Sequence, residues 1–218
     1  MRSRLQWLLS AWNYFCFCMG HMPPHVPIPS SDAVHERILQ RACTSPAAAK
    51  SLLLSLLVPQ GDLIAALRAS DPQDHACAQR FTLGTLLCTR TDDALALGPW
   101  TDVHILNGQS FFVLSAAKRQ SVVRIVPPLL APVLGTLLLR LKPISEAYYR
   151  SFCTRILHTT PGKTRRTGCS MWEASGVSRP HVAKFAGHAD PAMTKRYIHT
   201  YILRYSMDHF IGLVAALW

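Results

Sequence analysis

The sequence predicts a mainly helical α+β domain with a small three-stranded antiparallel sheet, and three observations predict it. Runs of helix-forming residues opened by Ser, Asp or Pro occupy the chain before and after a central stretch. In that stretch Val103–Leu106, Gln109–Leu114 and Ser121–Val126 are short β-branched and aromatic runs. Between the first two stands Asn107-Gly108, the pair that a type I′ hairpin needs because both positions take positive φ.

The elements follow in order. Residues 1–33 read as an N-terminal segment and linker, since 20–33 (GHMPPHVPIPSSDA) is rich in Pro and Ser. The domain proper is expected over 34–218. Ser31 or Asp32 can cap a helix through Glu36 to about Ala42, and Pro46 opens a second over Ala47 to Val58. Pro59-Gln60-Gly61-Asp62 reads as a turn before a short helix over Leu63 to Ala69. Asp71-Pro72 is a cap-and-start pair for a longer helix, whose core face carries Cys77, Phe81, Leu83, Leu86 and Leu87. Asp92 opens a helical turn to Leu97, closed by Gly98-Pro99. After the strands, helices are expected over Pro132 to Leu141, Ile144 to Leu157 and Thr167 to Ser175, the last stopped by Gly176. Ser178 caps a short helix ending at Gly187, and Asp190-Pro191 begins a final helix running toward Trp218.

Composition narrows the function. With 49% hydrophobic and 16% charged residues in 218, the chain buries a core and wholesale disorder is excluded. Its net charge of +11 is uneven: residues 1–100 hold 8 basic and 7 acidic side chains, residues 101–218 hold 15 and 5. So basic a C-terminal half points to a polyanionic partner, nucleic acid or an acidic membrane surface. Seven scattered cysteines lack framework spacing and read as free thiols. Cys16, Cys18, His21 and His25 lack a second pair of thiols, so no metal is expected. Arg2 and Arg4 precede an apolar run, Leu5 to Gly20, which is short for a membrane span and contains Asn13. The other apolar run, Ile125 to Leu139, holds Pro127, Pro128 and Pro132, against a membrane helix there. A membrane-anchored basic protein stays only as an alternative.

The stretch that carries chemistry is Lys163 to His199, KTRRTGCSMWEASGVSRPHVAKFAGHADPAMTKRYIH. It sets Arg165 and Arg166 at a helix start, Gly187-His188 at the end of the next helix, and Tyr197 nine residues after His188. Guanidinium forks beside free helix N–H groups favour an anion such as phosphate. A tyrosine beside such cations can attack phosphorus, because they stabilise its phenolate.

These residues resemble the C-terminal boxes of the tyrosine recombinase (phage integrase) family. That family shows H-x-x-R-[HR]-T/G, a glycine eleven residues after the Arg, then L-G-H, then a Tyr nine residues on. Here Arg165, Gly176, Ala186-Gly187-His188 and Tyr197 match in order and spacing. The form RRTGCSMWEASG is closest to recombinases of eukaryotic mobile elements, such as DIRS-like retrotransposons and related transposons. The resemblance spans about residues 40–205 and implies the tyrosine recombinase catalytic fold. Upstream it implies a first arginine at Arg90 in CTRTDDALALGPWTDV, with Asp93, Trp100 and Asp102 in the box positions. It implies a lysine between the second and third strands, either Lys118 or its neighbour Arg119.

What the resemblance implies chemically is DNA cleavage and rejoining. Tyr197 attacks the phosphate, Arg90 and Arg165 hold its oxygens, Lys118 protonates the leaving oxygen, and His188 bonds the phosphate or orients Tyr197. Arg119, Arg124, Lys163, Arg166, Arg179, Lys184, Lys195 and Arg196 are the implied contacts to double-stranded DNA. It implies no cofactor, metal or small-molecule substrate, a homo-oligomeric synaptic tetramer, and a nuclear location in a eukaryote or otherwise the cytoplasm, without secretion. Taken singly, each residue also has an ordinary use: Arg90 as a partner of Asp93, His188 as a helix cap, Tyr197 as core.

Two departures stand out. The family's His or Lys three residues before the second Arg falls on Gly162, and His158 is out of register. Pairing Lys163 with Arg166 restores the box but shifts both later spacings by one. Residues 1–75 are also short for an N-terminal DNA-clamping domain. A decayed DNA-binding remnant of such an enzyme is therefore the main competing expectation.

Overall fold

The computed structural model describes residues 57–114, 122–188, 190–195, 197 and 206–218, all within one unit, Lys50–Trp218. The first described helix, α1 (Gln60–Leu67), begins where a turn is expected. Pro59 O accepts from the amides of Asp62 and Leu63, so Pro-Gln-Gly-Asp is a helix N-terminus, with Asp62 favoured in the first turn. Leu57 and Val58 are not helical; the rest of that expected helix, and the one before it, lie outside the described residues.

Helix α2 (Pro72–Leu86) is the central element, packed against α1 and the later helices. Asp71 Oδ1 accepts from the amides of Gln73 and Asp74 at 2.9 and 2.8 Å, satisfying two orphan donors. Its expected core positions Cys77, Phe81, Leu83, Leu86 and Leu87 are all buried. Helix α3 (Thr91–Ala96) follows directly. Buried Arg80 grips the C-terminal end of α3, donating from Nη1 to the carbonyls of Ala94, Leu95 and Leu97 and from Nη2 to Lys142 O. A cation there suits the helix dipole and fixes the element that begins beside Arg90.

The sheet matches the expectation. Strands β1 (Val103–Leu106), β2 (Gln109–Leu114) and β3 (Val122–Ile125) form an antiparallel meander in the order β1-β2-β3. Asn107 and Gly108 have φ of 50° and 75°, as the hairpin turn requires. Val103, Phe112 and Arg124 stand opposite one another across the three strands, and Phe112 and Arg124 are buried. Then come α4 (Ala131–Arg140), α5 (Glu146–Arg155), α6 (Lys163–Ala174), α7 (Arg179–Ala186), α8 (Pro191–Lys195) and α9 (Met207–Leu217). Helix α6 starts four residues before the expected Thr167.

The final helix is a correction. Instead of one run toward Trp218, α8 stops at Lys195, and α9 has its own start, where Ser206 Oγ accepts from the His209 amide. Among the described residues the architecture is thus mainly helical with one three-stranded antiparallel sheet.

Helices α2 and α6 cross so closely that a Cβ on Gly168 would lie 1.9 Å from Thr85 O and 3.0 Å from Cys88 Sγ. Backbone must move to admit it, so Gly168→Ala is expected to cost about 1–3 kcal/mol despite the better helix propensity of Ala. Thermal unfolding reads this as a lowered Tm. Gly162→Ala is the control, since its added Cβ meets nothing within 4 Å.

Candidate active site

The site assembles where the N-terminal end of α3, strand β3, helix α6 and the α7–α8 corner converge. Helix α6 positions Arg165 from beneath: Thr164 Oγ1 donates to Thr89 O at 3.0 Å, tying the α6 start to the residue before Arg90. Arg165 is 4% exposed, and it has no acidic partner among the described residues. Its Nε donates to His188 Nε2 at 3.0 Å. Its Nη1 is buried with no hydrogen-bond partner among the described residues.

His188 reaches Arg165 because α7 ends abruptly. Gly187 adopts the left-handed conformation, φ 60°, and the His188 amide bonds back to Ala183 O at 2.9 Å. Gly187 is required twice, since a Cβ there would also collide with the Arg124 guanidinium. The imidazole is held on its other side, with Nδ1 2.7 Å from Thr194 Oγ1 of α8.

Tyr197 sits in a turn just past α8 rather than two turns inside a helix. Its amide donates to Thr194 O at 2.9 Å, and Ser170 Oγ of α6 donates to its carbonyl at 3.0 Å. Its ring stacks on His188, with centroids 5.1 Å apart and 23° between planes, and Arg165 Cζ lies 5.7 Å from its centroid. Arg165, His188 and Tyr197, expected together from spacing, are thus in mutual contact.

Arg90 is exposed just before α3, and its amide meets Asp93 Oδ2 at 3.4 Å. Asp93 does not pair with the Arg90 side chain. Its partner is Arg124, 3% exposed, whose Nη2 donates to Asp93 Oδ2 at 2.9 Å while Nη1 donates to Ala186 O. Arg124 was expected among the DNA contacts on its charge alone. The structure buries it in the wall, where it joins the Arg90 corner to the residues before His188. Its partner is 31 residues away, which no local pattern shows.

The other expected contacts fall on α6 and α7. Lys163 and Arg166 are half-buried, and burial holds both below their ordinary pKa values. Arg179 is bonded to Glu173 through Nε and Nη2, and Lys184 is exposed. Lys118, Arg119 and Arg196 lie outside the described residues, as does the side chain of Lys195. Gly162 stands exposed at the start of α6 with open space around it. Thr194, Ser170 and the wall role of Arg124 had no signal in the sequence.

Electrostatically the site is a buried positive cluster. Burial, then the charges of Arg124 and Arg90, lower the pKa of Arg165 from its ordinary value. Burial first, then Arg165, Arg124 and Arg90, push His188 from 6.5 to about 4, so the imidazole is neutral at pH 7. The unfolded chain takes up this proton as pH falls below 6.5, and the folded chain only near 4. Stability from this group is therefore present above pH 6.5 and drains away as pH falls toward 4. After solvent screening, wild type is expected to lose about 1–2 kcal/mol more than His188→Gln over that window. Denaturant titrations of both proteins at pH 7 and pH 4.5 check it.

Among the described residues no group of His, Cys, Asp and Glu forms a metal site, and no helix is long and apolar enough to cross a membrane. Cys77, Cys88, Cys153 and Cys169 are free and buried. The Cys16 to His25 cluster and the Leu5 to Gly20 run lie outside the described residues.

No protein-family model and no curated protein matches this chain. The chain is similar to a crystal structure of the XerH site-specific recombinase bound to difH substrate in a pre-cleavage complex. The TM-score is 0.47 at 12% identity, over 66% of this chain and 50% of that one. A post-cleavage complex of XerH with palindromic difH gives the same TM-score and identity, with 49% of that chain covered. This chain spans about half the length of either, and a likeness of that extent gives no residue a role.

Proposed function

We propose that this protein cleaves and rejoins DNA strands through a 3′-phosphotyrosyl intermediate. The observation that carries the proposal is Arg165: a buried guanidinium that, among the described residues, has no acidic partner and no partner at Nη1, set against the ring of Tyr197. A phosphate seated there supplies the missing charge and acceptors. The phenolic oxygen of Tyr197, its proton passed to solvent water, forms the new bond to phosphorus as the bond to the 5′-oxygen breaks. Lys118, or Arg119 beside it, gives a proton to that oxygen, leaving a free 5′-hydroxyl. Arg90 and Arg165 offset the charge on the non-bridging oxygens. Return of a 5′-hydroxyl from another strand reverses the step and joins the two, so the covalent link stores the energy. No cofactor enters. Lys163, Arg166, Arg179, Lys184, Lys195 and Arg196 contact the duplex backbone, and copies of the chain act together on DNA as a tetramer of a mobile-element recombinase, in the nucleus of a eukaryote or otherwise in the cytoplasm.

Gly162 favours a second reading, a DNA-binding remnant with lost chemistry. Where a proton-transferring side chain would help, this chain has none, which slows the reaction without removing nucleophile or clamp. One experiment separates the two. Nicked duplexes carrying a random pool of sites are incubated with the protein and then denatured in SDS. A covalent adduct that yields phosphotyrosine in the peptide containing Tyr197 supports cleavage. Salt-sensitive binding with no adduct across the pool supports the remnant.

A further inference from the structure

The hydrogen bonds around His188 fix which of its nitrogens carries the proton. Arg165 Nε is always a donor, because a guanidinium keeps its proton at any ordinary pH. His188 Nε2, 3.0 Å from it, must therefore accept with its lone pair. A neutral imidazole with a bare Nε2 carries its proton on Nδ1. That Nδ1–H faces Thr194 Oγ1 at 2.7 Å, and Thr194 is fully buried. No other polar partner of Nδ1 is present among the described residues.

We infer that Thr194 is a positioning residue: its hydroxyl oxygen accepts the Nδ1–H that the Arg165 bond leaves on His188, and so holds the ring with its Nε2 lone pair aimed at Arg165. The chain of control then runs from Thr194 to His188 to Arg165, and ends at the guanidinium nitrogens that are left for a ligand. Arg165 is a long side chain with several rotatable bonds, and a single bond at Nε removes much of that freedom before any ligand arrives. With Nε2 occupied and the rings of His188 and Tyr197 stacked face on face, His188 has no lone pair with which to take the Tyr197 proton. His188 orients Arg165, and the phenolic proton passes to solvent water. The placement of Thr194 completes the corner: the hydroxyl bonds His188, while its carbonyl accepts from the Tyr197 amide.

The relevance to strand cleavage rests on the proposed function, whereas the tautomer is measurable without DNA. The test records nitrogen-15 spectra of histidine-labelled protein at pH 7, with His188→Gln identifying the His188 signals. Nδ1 protonated and Nε2 bare in wild type is the expected result. Thr194→Val, which keeps the shape and removes the oxygen, should abolish that pattern, and Thr194→Ser should restore it. A proton on Nε2 in wild type, or an unchanged pattern in Thr194→Val, overturns the inference. In the adduct assay Thr194→Val should slow cleavage about 10-fold to 100-fold, with Thr194→Ser near wild type. Cleavage unchanged in Thr194→Val would refute the positioning role. A wild type that forms no adduct refutes the proposed function instead, and the spectra still decide the tautomer.

Discussion

Tyr197→Phe is expected to abolish the covalent protein–DNA adduct, a loss of at least ~10⁴-fold, while leaving salt-sensitive DNA binding intact. The expectation is this steep because the change removes the attacking atom and little else. The phenyl ring keeps its stack on His188 and its place beside Arg165. The backbone bonds to Thr194 and Ser170 are untouched. The hydroxyl makes no hydrogen bond among the described residues, so stability should change by under about 0.5 kcal/mol. A variant that unfolds, or that still forms the adduct, would move the nucleophile elsewhere. Tyr201 and Tyr205 are the next tyrosines along the chain.

Arg124→Met should produce the largest loss of stability, about 3–5 kcal/mol, because it strands the Asp93 carboxylate in the interior. Both members of the pair are nearly sealed from solvent, at 3% and 9% side-chain exposure. The same change removes the donor on Ala186 O and leaves room beneath Gly187. Denaturant unfolding of Arg124→Met, Asp93→Asn and the double variant checks the assignment. The double variant should be clearly more stable than the sum of the two losses predicts, as it is for a directly paired, buried pair of charges. Simple additivity would mean that the two side chains act independently.

The parts of this molecule that were legible beforehand are those whose causes are local. Asn107-Gly108 announces its turn because few other residues tolerate two consecutive positive φ values. Asp71-Pro72 announces a helix start, and Gly187 a helix end, for equally local reasons. The order Arg165, His188, Tyr197 was legible as a spacing, and the structure brings the three into contact. What stayed hidden depends on partners far along the chain. Arg124 looked like one more surface cation until Asp93 stood against it. Thr194 is an ordinary helix residue until His188 turns toward it. Pro59-Gln60-Gly61-Asp62 has turn residues that serve equally at a helix start, and the apolar run behind them decided between the two. The Ser170 hydroxyl that meets the Tyr197 carbonyl comes from another helix, 27 residues earlier.

The Arg124 guanidinium has a further consequence for how this corner forms and opens. It binds three stretches of chain, around positions 93, 124 and 186, that lie 31 and 62 residues apart in sequence from the arginine. None of these contacts is available to a nascent or partly folded chain, because each waits on the others to be in place. The corner therefore matures late, after the local helices and the hairpin have closed. It also opens as a unit, since letting go of one stretch frees the remaining two. Slow hydrogen exchange in this region would then report a single opening event shared by Ala94 in α3 and His188 just past the end of α7, amides in different parts of the sequence.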